Sequence, residues 1–126
     1  DKTVAILGVT FKPNTDDMRD APSLVIVPML VERGARVQVY DPQGRKHGEK
    51  ELAGVAWCED ALAAAAGADV TVVLTEWNEF RALSLEALKA AMRGNALIDL
   101  RNMFQPQDAI TAGFRYTSIG RPTKAG

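Results

Sequence analysis

Apolar positions in this chain fall into short, nearly continuous runs that alternate with stretches of helical spacing. The run VAILGV at residues 4–9 is rich in β-favouring side chains and predicts a strand buried on both faces. Residues 10–22 are polar, charged and punctuated by Pro13 and Pro22, which predicts a long loop. Pro22 then suits a first helical turn, Leu24, Val25, Val27, Pro28, Leu30 and Val31 supply apolar positions, and Gly34 stands where a helix ends, so a helix is expected over about 22–33. Val37, Val39 and Tyr40 form the second strand, closed by Asp41-Pro42, and the resulting βαβ unit should cross over right-handed.

The pattern then repeats. Residues 43–54 are polar, with a weak helical turn around 46–52, and 55–57 offer a short third strand. The alanine-dense segment 59–66 predicts a helix stopped by Gly67, and DVTVVL at 69–74 another buried strand. Leu85, Leu88 and Met92 recur at helical spacing within 83–92, with Ser84 as N-cap, Ala87 as the third helical residue and Gly94 as terminator. A strand at 96–100, a short helix at 106–112 closed by Gly113 and a last strand at 114–119 complete the series. Strands alternating with helices predict an α/β, Rossmann-like three-layer domain, with a mostly parallel sheet and helices on both faces. One domain over 1–119 is expected, with a flexible tail at 120–126.

Composition narrows the function. Fifteen basic and sixteen acidic side chains leave a net charge of -1, so no overall positive field favours nucleic acid or an anionic membrane. No apolar stretch reaches the roughly 18 to 20 residues that span a bilayer, which predicts a soluble chain. The single Cys58 excludes an internal disulfide and a thiol cluster for zinc, which fits a cytoplasmic setting; no metal-ligand spacing is present. A start so close to a core strand reads as a cut at a domain boundary, with partner domains upstream.

In an open parallel sheet, ligands collect at the carboxyl ends of the strands where the connections reverse. The loop after the first strand, TFKPNTDDMRDAP, is about twice the usual length. Its Lys12 can meet a phosphate or sugar oxygen as a point charge, and Phe11 offers a flat face to a base or ribose. Alternatively Lys12 and Arg19 pair with Asp16, Asp17 and Asp20 on a solvated loop, and on composition the two readings weigh equally. Arg101, just past a buried strand, needs an anionic ligand or a carboxylate such as Asp99. Gly8 stands without the further glycines of a dinucleotide fingerprint, and no phosphate-loop motif occurs. Asp41 reads as a turn cap, Cys58 as a small buried side chain, His47 as exposed, and Trp77 and Phe80 as packing residues.

The segment GVTFKPNTDDMRDAPS at 8–23 resembles the signature that opens the C-terminal domain of the UDP-glucose/GDP-mannose dehydrogenase family. VYDP at 39–42, ADVTVVLTEWNEF at 68–80 and IDLRN at 98–102 match in order, so the resemblance covers residues 2 to about 119. TEWNEF is more similar to the UDP-glucose 6-dehydrogenases than to their GDP-mannose or UDP-N-acetylmannosamine relatives.

The resemblance implies a domain that grips the nucleotide of a UDP-sugar, beside an N-terminal NAD-binding domain and a central dimerising region. It implies a full enzyme, a homodimer or higher, that oxidises UDP-glucose to UDP-glucuronate with two NAD through a cysteine-bound intermediate. By match to the motif, Phe11, Lys12 and Arg101 contact substrate and Arg19 reaches NAD. Asp16 and Asp17 shape the loop, and the catalytic cysteine, lysine and aspartate lie outside this stretch. The chain alone is therefore expected to be inactive, with no catalytic residue of its own. Its rivals are the same domain of a sister nucleotide-sugar dehydrogenase, a non-catalytic nucleotide-binding module, and a purely structural domain.

Overall fold

The computed structural model describes residues 2–8, 23–41, 54–74, 80, 82–100, 103–118 and 121–124. Within them the chain runs β1 (Thr3–Leu7), α1 (Ser23–Glu32), β2 (Arg36–Tyr40), β3 (Val55–Trp57), α2 (Ala61–Ala65), β4 (Val70–Val73), α3 (Leu85–Ala91), β5 (Ala96–Asp99), α4 (Pro106–Thr111), β6 (Arg115–Ser118) and β7 (Arg121–Lys124). These strands form one sheet in the order β3-β2-β1-β4-β5-β6-β7. All neighbouring pairs from β3 through β6 are parallel. This is the doubly wound α/β arrangement expected from the sequence.

Alternation along β1 divides the core into two layers. Ala5 and Leu7 face one side with Val73, Leu97 and Tyr116, covered by Ala61, Ala64 and Ala65 of α2, Leu88 of α3 and Ala109 of α4. Val4 and Ile6 face the other, with Val37, Val39, Val72 and Leu74 beneath Val27 of α1. A strand buried on both faces has no polar side to expose, which is why β1 reads as a continuous apolar run.

The alanine-rich helix is shorter than its composition suggests. Asp60 is the N-cap, its carboxylate accepting the Ala63 N–H at 2.7 Å, so the helix cannot begin at residue 59. At the other end, Gln38 of β2 donates its amide to the Ala64 and Ala66 carbonyls at 2.7 and 3.0 Å. A strand side chain thus satisfies carbonyls that a helix terminus leaves open. Ser84 caps α3 as expected, accepting from Ala87 N at 3.2 Å.

Two features depart from the sequence reading. Arg121–Lys124, expected to trail as a tail, pairs antiparallel with β6 as the outer strand β7. Pro122 is compatible with that place because the outward side of an edge strand needs no N–H donor. Cys58, expected to be buried, is half-buried and packs against the rim of the core.

Behind the sheet, at the amino ends of the strands, Asp69 ties β1, β4 and α3 together. Its carboxylate accepts the Thr3 N–H at 2.9 Å and is gripped by Arg93 through Nε at 3.0 Å and Nη2 at 2.6 Å. Gly94 lets the backbone pass here, since a Cβ would lie 2.9 Å from the Asp69 C and Cα atoms and overlap the Asp69 carbonyl oxygen. The Arg93 hydrogen bond, aided by Thr3 N–H, holds the Asp69 carboxyl well below the ordinary value of 3.8. A lowered folded-state pKa contributes stability that is complete above the unfolded value and lost as pH falls through the folded one. Wild type should therefore exceed Asp69→Asn in urea stability at neutral pH, and the gap should narrow steadily below about pH 4. A gap independent of pH would refute the assignment.

Candidate functional site

The sheet's connections reverse direction between β1 and β4. The strands that flank this point end at one level, because the hydrogen-bond ladder continues past their last residues. Gly8 N–H donates to Tyr40 O at 2.8 Å, Leu74 N–H to Leu7 O at 3.0 Å, Leu100 N–H to Val73 O at 3.1 Å and Cys58 N–H to Val39 O at 2.8 Å. The loops that follow β1, β2, β4 and β5 therefore leave from a common rim. Gly8 makes its rung at φ 91°, a conformation open to glycine and costly to other residues.

Phe11, Lys12 and Arg19, in the loop after β1, and Arg101, after β5, lie outside the described residues, as do His47 and Trp77. Their points of departure are described. One strand, β4, separates β1 from β5. At about 4.8 Å per strand step, the two loops start roughly 10 Å apart. A lysine and an arginine can bridge that interval toward one diphosphate.

The rim beneath these loops is built from buried side chains. Phe80 is fully buried and meets the Tyr40 ring edge-on, with centroids 6.1 Å apart, so it packs as the sequence reading held. Asp41, just past β2, is 5% exposed. At the end of β5, Asp99 is completely buried and its Oδ2 accepts the Phe104 N–H at 2.9 Å and the Tyr116 hydroxyl at 2.7 Å. Sequence reasoning saw Asp99 only as a counter-ion for Arg101 and missed Tyr116 altogether. The sequence signal was confined to a polar residue at the inward position of β5, two residues after Leu97; Tyr116 stands opposite Leu97 on β6, and only the strand pairing brings it near.

A depression of about 320 Å³ lies between the start of α3 and α4, lined by Leu83, Ser84, Leu85, Glu86, Phe104, Asp108 and Thr111. Among the described residues its lining holds two carboxylates and no cation, which does not suit a phosphate. Among the described residues there is no cluster of three or more potential metal ligands, and no helix long and apolar enough to cross a membrane.

Residues 5–106 match the model of the UDP-glucose/GDP-mannose dehydrogenase family, UDP binding domain. The chain is 50% identical over 119 residues to a UDP-glucose 6-dehydrogenase of Rhizobium meliloti (strain 1021), covering 94% of this chain and 27% of that protein. It is 39% identical over 126 residues to one from Bacillus subtilis (strain 168), covering 99% and 27%. Among solved structures, an NDP-N-acetyl-D-galactosaminuronic acid dehydrogenase from Methanosarcina mazei Go1 superposes with a TM-score of 0.80 at 30% identity, over 95% of this chain and 25% of that one. A UDP-glucose dehydrogenase from Pyrobaculum islandicum gives 0.67 at 32% identity, over 78% and 21%. The chain thus spans about a quarter of the length of the relatives it matches.

Gly8→Ala should lower stability by about 1 kcal/mol in denaturant titration, because the rim rung demands positive φ. Unchanged stability would show that this backbone relaxes without cost.

Proposed function

The chain belongs to the UDP-glucose/GDP-mannose dehydrogenase family, matching its UDP binding domain, and from that premise we propose that it holds the nucleotide diphosphate of a UDP-sugar within a longer oxidoreductase. Phe11 packs on the base or ribose, and Lys12 and Arg101 grip the diphosphate. Charge-assisted hydrogen bonds from a lysine and a forked guanidinium are the strong kind for such an anion. The observation that carries this reading is the sheet order, which sends the loops after β1 and β5 from one rim with a single strand between them.

The full protein, in this proposal, oxidises UDP-glucose to UDP-glucuronate in the cytoplasm, using two NAD and acting as a homodimer or higher assembly. Relatives named UDP-glucose 6-dehydrogenase support glucose as the sugar. The reading makes this chain a poor holder of NAD by itself. A dinucleotide fingerprint turns from the first strand directly into a helix whose N-terminus faces the pyrophosphate. Here Gly8 lacks the companion glycines of such a turn. NAD belongs mainly to another domain, toward which Arg19 reaches from this one.

Calorimetric titration with UDP tests the binding role. Lys12→Ala and Arg101→Ala in the full-length protein should each weaken UDP about tenfold, the value of one charge-assisted hydrogen bond. Wild-type affinity in both variants would remove them from the site. Mixed with NAD and UDP-glucose, the 126-residue chain alone should produce no NADH absorbance. Turnover would overturn the division of labour.

A further inference from the structure

The buried contact at the end of β5 joins three residues from two strands and the segment between them. Asp99, Phe104 and Tyr116 are 0%, 7% and 1% exposed. One carboxylate oxygen, Asp99 Oδ2, receives both the Phe104 peptide N–H at 2.9 Å and the Tyr116 hydroxyl at 2.7 Å. The same hydroxyl oxygen lies 3.0 Å from the Phe104 carbonyl oxygen. The phenol has one proton to give, and the shorter contact to a carboxylate takes it. The backbone of Phe104 is thereby held to Asp99 of β5, and the Asp99 carboxylate in turn to Tyr116 of β6. On the near side, Leu100 N–H extends the ladder to Val73 O. The segment between these anchors contains Arg101; its near end is fastened by the strand ladder and its far end by buried groups.

We propose that Asp99 and Tyr116 are positioning residues for the diphosphate site: their buried node fixes the span and direction of the loop that carries Arg101. The proposal rests on the reading that Arg101 grips the diphosphate. An arginine delivers its forked hydrogen bonds only if its backbone is placed in advance, since otherwise ligand binding must also order the loop. A strand end alone does not supply this, because loops beyond a ladder lose their backbone partners. The carboxylate at Asp99 replaces those partners with one side chain, and Tyr116 holds that side chain in line. No catalytic contact is ascribed to either residue.

The test is a pair of double-mutant cycles on the full-length protein, with UDP affinity read by calorimetry. Tyr116→Phe deletes only the hydroxyl. With Arg101 present it should weaken UDP roughly fivefold to tenfold, in keeping with one buried hydrogen bond. In an Arg101→Ala background the same substitution should change affinity by less than about twofold, because the loop no longer carries the contact. In a Lys12→Ala background it should keep its full effect, because the two loops act separately.

An equal loss in all three backgrounds would mean general loosening and would overturn the proposal, as would no loss with Arg101 present. Wild-type UDP affinity in Arg101→Ala alone would instead overturn the diphosphate reading on which the proposal rests. Asp99→Asn, which keeps the side-chain size while weakening both bonds, should reproduce the pattern and stands in if Tyr116→Phe does not fold by circular dichroism. Failure of both variants to fold would overturn the positioning role by making the node a requirement of the fold itself.

Discussion

The candidate site depends on a ladder of parallel hydrogen bonds that is carried one residue beyond each strand. Gly8, Leu74 and Leu100 each donate to a neighbour's carbonyl just past the last paired residue of their own strands. Their loops are thus launched from fixed backbone and not from frayed ends. In a parallel sheet all carboxyl ends point the same way, so fixing them collects several loops on one rim.

Stability rests on the opposite face and on the two layers of core. Small residues in α2 bring that helix close to the sheet, and Gln38 and Asp60 satisfy its ends from outside the helix. Asp69 and Arg93 do comparable work at the amino ends of the strands, far from the rim, with Gly94 allowing the close passage. The charged groups that stabilise the fold and those proposed to bind the ligand therefore occupy opposite ends of the same strands. Changing the ligand loops leaves the Asp69 cluster untouched, and a defect in either end can be read without confusion from the other.

Much of the fold was legible in the sequence. Buried strands announced themselves as apolar runs, and Ser84 with Ala87 gave the start of α3 to the residue. The mostly parallel sheet with helices on both faces also followed from the alternation of elements. Less legible were features set by tertiary contact. Asp60 displaces the start of α2 because its carboxylate competes for the first turn, although the alanines on both sides favour helix. The strand β7 hides behind Pro122, which reads as a breaker until an edge position makes it acceptable. For the site, the motif residues Phe11, Lys12, Arg19 and Arg101 were legible through resemblance, and they lie outside the described structure.

The Asp99–Tyr116 contact shows why such a site is only half written in its motif. Asp99 and Arg101 are near neighbours in the chain, and their pairing was one of two readings open for Arg101; Asp99 Oδ2 accepts a peptide N–H and a phenol. The tyrosine comes from a different strand, brought into register by the pairing of β5 with β6, and no local pattern could have named it. A buried carboxylate is tolerated there because two donors meet it, and those two donors restrict the path of the chain between them. In the proposed site the short motif supplies the charge for a ligand, while residues that never touch the ligand determine where that charge can stand.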